Sequence, residues 1–335
     1  MMKKFDAAFK SGPQLRSLGM ARALDRLALS KQHLNPTGNF TPAASLSSLA
    51  SLNEGTKYSP DFKKYSFDES TGKVISYFHD VPLGLDTSNR TANMIAEIPR
   101  WSNAKFEINA KLPGNPITQD VKDGKVRFVK NLFPYHGYVH NYGAFPQTWE
   151  DPTTKDRELS LYGDNDPLDV CDIGDEVLET GAIKRVKILG SMALVDSGEL
   201  DWKIIVINVD DPMAKELHDI HDVYVRCPGL LEATRQWFRF YKVPDGKPKN
   251  HIAFNGKFKT QQETVELLEE YHSAWKRLVS GETKGEGLPN ISNTTLENTP
   301  GFTSSLVNPS SLKKSQEPPA DIPSDVNLIY YSSND

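Results

Sequence analysis

The chain has 335 residues, 38% hydrophobic and 10% aromatic, enough to bury one sizeable core and a second small one; its net charge is −5 and its pI is near 5.9. That acidic balance argues against a nucleic-acid binder, which needs a basic face. No run approaches the ~18 consecutive apolar residues of a membrane span, so no direct membrane insertion is expected, and Cys171 and Cys227 are too few for a disulfide framework or a zinc site and are expected as reduced, buried thiols.

Residues 1–52 differ from the rest. Seven lysines and arginines face two aspartates there, a balance of +5 that leaves −10 for the remainder of the chain. Leu15, Leu18, Leu24 and Leu27 can share a helical stripe with Arg22 and Arg26 on another, and a Ser/Ala/Leu-rich segment follows over 43–51. Basic, Ser-rich, acid-poor and amphipathic is the composition of a mitochondrial transit peptide rather than a secretory signal. The reading is a leader over 1–52, directing the protein to the mitochondrion and its matrix.

A folded domain is expected over 53–280, where short apolar runs alternate with Gly, Pro and Asn. Val186–Val195 and Lys203–Val209 read as strands, the second alternating less because both its faces are buried. Pro228-Gly229 precedes a helical stretch carrying Leu230, Ala233, Trp237 and Tyr241 near one face. Thr260-Gln261-Gln262-Glu263 is a capping box that opens a helix with Val265, Leu268, His272, Trp275 and Val279 at helical spacing, and His272 is expected in the core rather than on a ligand. Residues 281–335 turn to Ser, Asn, Pro and Thr, an extended polar tail whose Leu328-Ile329-Tyr330-Tyr331 can pin its end to a surface.

Three acidic groups punctuate the domain. Asp164, Asp166 and Asp169 lie within six residues, interrupted by Asn165 and Pro167, which suit a turn. Their mutual repulsion makes sense if cations neutralise it, although a solvated acidic loop is the plain alternative; a helix-loop-helix calcium site is excluded, because Leu168 and Asp169 stand where an oxygen ligand and a glycine are needed. The second group, Asp196-Ser197-Gly198-Glu199-Leu200-Asp201-Trp202-Lys203, places Asp201 and Lys203 on one side of a strand start. The third holds Glu97, and Lys105 with Glu107 flanking an inward Phe106. Arg127, Tyr142 and the pair Tyr241-Lys242 add cations and hydroxyls. Carboxylates mixed with Lys, Arg and Tyr suit a metal-bound polyphosphate: hard Mg²⁺ prefers carboxylate and water oxygens, and the cationic side chains hold phosphate oxygens. Asp245-Gly246-Lys247-Pro248 lacks the spacing and hydroxyl of a nucleotide phosphate loop.

These residues, together with Phe78-His79-Asp80-Val81-Pro82, Phe133-Pro134-Tyr135-His136-Gly137-Tyr138, Gln147-Thr148-Trp149-Glu150-Asp151-Pro152 and Tyr241-Lys242-Val243-Pro244-Asp245-Gly246-Lys247-Pro248, closely resemble the family I soluble inorganic pyrophosphatases of eukaryotic type, over roughly residues 58–280. With its basic leader the chain is similar to the mitochondrial members. The resemblance implies an α+β, mainly β fold, a twisted closed β-barrel of oligonucleotide-binding type flanked by helices, in a homodimer. It implies hydrolysis of inorganic diphosphate, with several Mg²⁺ ions per site: Asp164, Asp169 and Asp201 hold the activating ion, Asp169 bridges to a second, and Asp196 and Glu107 attend the ions that arrive with substrate. Lys105, Arg127, Tyr142, Lys203, Tyr241 and Lys242 fall at phosphate-contacting positions, Glu97 at an acidic position nearby, and Asp166 at that of the base for attacking water shared between two ions. Arg127, Tyr142 and Lys203 join Asp166 as the residues expected to act on the reacting groups. Ser197 and Leu200 depart from the acidic and hydroxyl residues frequent in cytosolic members, which bears on metal affinity. The alternatives are a metal-dependent hydrolase of another phosphoanhydride, or a non-catalytic binding or regulatory protein of the same barrel type.

Overall fold

The computed structural model describes residues 46–331. Most of the stretch read as a leader therefore lies outside the described residues. Of the rest, β1 (Leu49–Glu54) is already paired with β2 (Lys63–Asp68), so ordered pairing begins four residues ahead of residue 53. In chain order follow β3 (Lys73–Ile75), β4 (Thr91–Ile98), β5 (Phe106–Ile108), β6 (Ile117–Gln119), β7 (Val121–Lys122), β8 (Lys125–Val126), β9 (Asn131–Leu132), β10 (Asn141–Ala144) and β11 (Asp169–Asp172). Then come β12 (Ile183–Asp196), β13 (Glu199–Asn208), helices α1 (Ile220–Arg226) and α2 (Leu230–Phe240), β14 (His251–Ile252), helix α3 (Gln261–Val279) and β15 (Ile329–Tyr330).

The architecture turns on one long hairpin. β12 and β13 are joined by Ser197-Gly198, both at positive φ (55° and 96°), the backbone of the tight turns whose twist matches that of paired strands. The ladder shifts register between Ile188 and Gly190, and a bulge of this kind bends its strand. Gly190 has no substitute there: a Cβ would stand 2.6 Å from the Lys259 carbonyl oxygen. Bent in this way, β12 pairs with β4 through its first half and with β13 along its length. β4 pairs with β10, β10 with β11, and β11 in parallel with β13, so five strands close into a ring. The result is the mainly β, closed arrangement with flanking helices expected from the sequence. A second sheet runs β1-β2-β6-β5, with β3 on β2.

β13 explains its own weak alternation. Ile204 and Val206 pack into one apolar cluster with Met94, Phe145, Val170 and Leu268, while Ile205 and Ile207 pack into another with Phe78, Trp149, Trp237 and Trp275. Both faces are covered, as in a strand buried on either side. The capping box of α3 is formed as expected, Thr260 Oγ1 accepting from the Glu263 amide while the Glu263 carboxylate accepts from the Thr260 amide. α2 starts after Gly229 at φ 86° and ends so that Tyr241 and Lys242 follow directly. Among the described residues no helix is long and apolar enough to cross a membrane.

The tail is extended, as expected, but docked at intervals. Asp80 accepts hydrogen bonds from the amides and hydroxyls of both Thr294 and Thr295; the Gly55 amide donates to Lys313, the Ala320 amide to Lys57, and β15 pairs with β9. The polar tail is held by backbone and carboxylate bonds together with a few apolar contacts, Leu288, Ile291 and Leu296 against the core and Val326 buried.

His79 is fully buried, stacked on Phe78, with the Trp275 indole N–H donating to its Nδ1 (3.0 Å) and its Nε2 against the Asn290 carbonyl (2.9 Å). His272 stacks on Trp275 and bonds the Gln147 carbonyl, so it is a packing residue as expected. Burial pushes the His79 pKa down to about 4. The unfolded chain takes up this proton below an ordinary histidine pKa of ~6.5. The stabilising contribution is therefore complete above that pH and is lost as pH falls toward 4. By pH 5 the loss from this ring should reach about 2 kcal/mol. Urea unfolding of the wild type and His79→Gln at pH 7 and pH 5 measures it: equal pH slopes for the two proteins would refute the assignment.

Candidate active site

Strand register assembles the site. Across the barrel Ala144 lies opposite Asp169, and Asp169 opposite Lys203, while Leu194 and Met192 of β12 face Asp201 and Lys203. Alternation along β13 sends Asp201 and Lys203 to one face, as expected, and β11 begins on Asp169 at the same level. The run before it forms the expected turn: Asn165 is at φ 77°, and the Asp166 amide donates to Asp164 Oδ1 at 3.0 Å.

These elements line a pocket of ≈290 Å³. Glu97, Lys105, Glu107, Tyr142, Asp164, Asp166, Asp169, Asp196, Asp201, Lys203, Tyr241 and Lys242 all border it. Arg127 does not; it stands outside the lining, its guanidinium donating to Asp120 (2.5 Å), which also accepts from Lys105 (3.2 Å). Glu199 borders it too, so eight carboxylates and three ammonium groups meet in a small volume. Lys203, 2% exposed, donates to Asp169, to Asp201 and to the Tyr142 hydroxyl (3.0 Å), and Tyr142 donates to Asp169. Lys242 donates to Asp196 at the mouth, and Lys105 to Glu107. Tyr241 stacks on Trp237 with ring centroids 4.8 Å apart.

The electrostatics follow from this crowding. Burial, then neighbouring carboxylates, raises the pKa of Asp164 and Glu97 above the usual carboxylate range, and burial does the same for Asp201 against the pull of Lys203. Asp166 moves the same way through burial, Glu107 and Asp169, although its solvent access limits the rise. Burial opposes the charge on Lys203 and Lys105, but Asp169 with Asp201, and Glu107 with Asp120, outweigh it and hold both ammonium groups firmly charged. At Asp196 burial is outweighed by Lys242, which keeps the carboxyl ionised.

Two residues were not legible as site residues in the sequence. Glu150, fully buried, brings a carboxylate oxygen within 4.8 Å of those of Asp164 and Asp201; its Oε1 accepts from the Trp202 amide (3.0 Å), and its Oε2 has no partner. The expected third member, Asp169, has its carboxylate taken by Lys203 and Tyr142. Asp120 is the link that draws Lys105 and Arg127 together. Oxygen donors without sulfur or imidazole, one of them a buried orphan, fit a hard divalent cation. The same pocket offers ammonium and hydroxyl donors to an anion.

The family model described as inorganic pyrophosphatase matches residues 94–276. The chain is 46% identical to the mitochondrial inorganic pyrophosphatase of Saccharomyces cerevisiae over 92% of its own length and 97% of that protein, and 54% identical to the inorganic pyrophosphatase of Kluyveromyces lactis over 73% and 85%. The solved inorganic pyrophosphatase of Schistosoma japonicum superimposes with a TM-score of 0.78 at 42% identity, covering 84% of this chain and 100% of that one.

Proposed function

The chain belongs to the inorganic pyrophosphatase family and is an enzyme that hydrolyses inorganic diphosphate to two phosphates, and from that premise we propose that Mg²⁺ is its cation and that the thirteen residues read from the sequence, with Glu150 and Asp120, form its machinery. The observation that carries the reading is the meeting of eight carboxylates with three ammonium groups in ≈290 Å³, a donor set for a compact polyanion with its cations.

Asp164, Asp169 and Asp201, with Glu150, would hold the activating ions, and Asp196 and Glu107 would attend those brought by substrate. Bound there, Mg²⁺ supplies charge neutralisation and a water of lowered pKa. Asp164, Asp169, Asp196, Asp201 and Glu107 are each engaged by a donor within the chain, whereas the Asp166 carboxylate accepts none and faces solvent. Asp166 is thus free to orient the attacking water and take its proton. Lys203, Tyr142, Tyr241 and Lys242 grip the leaving phosphate; Lys105 and Arg127, joined through Asp120, grip the other. Donors already aimed into a buried pocket stabilise developing charge without reorganising.

Phosphate release measured with and without chelator tests this. Release should stop when the cation is removed, return with Mg²⁺, and run roughly 10³-fold faster on diphosphate than on ATP; equal rates on the two substrates would favour a broader phosphoanhydride hydrolase.

Two finer readings go with it. The basic leader and the likeness to a mitochondrial relative along 92% of the chain support targeting to the mitochondrial matrix, which a fluorescent fusion of residues 1–55 reads directly. A homodimer is supported by exposed aromatic surface: Trp101, 57% exposed at φ 66° under the Arg100 guanidinium, and the Phe133–Tyr331 ring pair. Sedimentation at micromolar concentration would exclude it by showing only monomer.

A further inference from the structure

Beside the catalytic pocket lies an open cavity of ≈1230 Å³ that shares Asp196, Ser197 and Lys242 with it. Apart from Arg127, Lys242 and Asp196, which belong to the diphosphate machinery, five lysines face three aspartates on its wall, a local excess of +2 in a chain whose net charge is −5. One of those aspartates, Asp325, is already engaged by Lys130. Among the described residues Lys122, Lys125 and Lys247 have no acidic partner within ion-pair distance.

The backbone concentrates this charge. β7 and β8 form a hairpin through Asp123-Gly124, both at positive φ (52° and 74°), and its register sets Lys122 directly opposite Lys125. Like charges in that position weaken a strand pair, and an anion between them relieves the repulsion. The tail supplies the far wall through Pro323, Asp325 and Val326, and Asp325 shows that the cavity already seats an anionic group on Lys130. All of the cations on this wall but Arg127 are lysines, and compact ammonium groups spread over a volume about four times that of the catalytic pocket suit a long anion of high charge density.

We propose that this cavity binds a linear chain of three or more phosphates, separately from the diphosphate in the catalytic pocket. Inorganic tripolyphosphate and the triphosphate of a nucleotide share that chemistry. The tail carboxylate of Asp325 competes with the ligand for Lys130.

Calorimetry on the full chain with Mg²⁺ tests it, the catalytic pocket being saturated with imidodiphosphate and a non-hydrolysable imidotriphosphate added as probe. One further equivalent should bind. Lys122→Ala/Lys125→Ala/Lys247→Ala should weaken it about tenfold, and Asp325→Ala should tighten it, a change of opposite sign that no general damage to the fold would produce. Adenylyl imidodiphosphate in place of the inorganic probe separates the sources: equal affinity assigns recognition to the phosphate chain alone, and tighter binding identifies the nucleotide as the ligand. Absence of further binding, or unchanged affinity in both variants, would overturn the proposal.

Discussion

Asp166→Asn is expected to fold and bind its cation yet to lose turnover of diphosphate by about 10³-fold, within the range general base catalysis supplies. The substitution keeps size and position in the Asn165 turn and removes only basicity. Nothing else in the chain depends on that carboxylate: its own amide bonds Asp164, and the Glu150 amide bonds its main-chain carbonyl, so the backbone contacts survive. The variant should retain the wild-type thermal midpoint, and its residual rate should lose the steep acid limb of the pH profile. Near-normal turnover would show that water is activated without this group.

Lys203→Met should be costly in a different way. The ammonium is buried between Asp169 and Asp201, and its removal leaves two carboxylates without a counter-charge inside the barrel end. Breaking a buried pair from one side costs about 3–5 kcal/mol. The sign of its pH dependence follows. Burial raises the Asp201 carboxyl and Lys203 opposes that rise, so without Lys203 the folded variant binds more protons at Asp201 than the unfolded chain and its stability falls as pH rises. Urea unfolding in chelator should therefore show a larger deficit at pH 8 than at pH 6, and added Mg²⁺ should recover much of it. Turnover should remain down by about 10³-fold even then, because the leaving phosphate loses its buried donor. A variant as stable as the wild type at pH 8 would refute the pairing.

Local signals carried much of the fold. Gly229 and the Thr260–Glu263 box announced their helices, and the apolar run of β13 announced a strand covered on both sides. What remained hidden depends on distant register. Ala144, Asp169 and Lys203 meet because three strands align, and no spacing along the chain states that alignment. The three acidic groups could be read as patches, but their convergence could be reached only through resemblance. Glu150 stayed hidden because it sits between Trp149 and Asp151, in a stretch that reads as core and loop. Arg127 was placed with the anion ligands through resemblance; its guanidinium is joined to the pocket's Lys105 by Asp120, a link that no spacing along the chain states. The docking of the tail was illegible beyond its last aromatics, since carboxylate and backbone bonds and isolated apolar contacts such as Leu288 and Val326 leave no periodic trace.

That docking also bears on the order in which the molecule can be completed during synthesis. Asp80 waits for Thr294 and Thr295, more than 210 positions downstream, and the buried side-chain amide of Asn131 waits for Val326, 195 positions downstream. A nascent chain emerging from the ribosome holds the Asn131 amide without this acceptor, and Asp80 with the Ser76 amide but without its threonine donors, until translation is nearly over. Its closing contacts are among the most distant it makes, which slows final consolidation. Closure of the fold is thereby tied to the completion of its own synthesis.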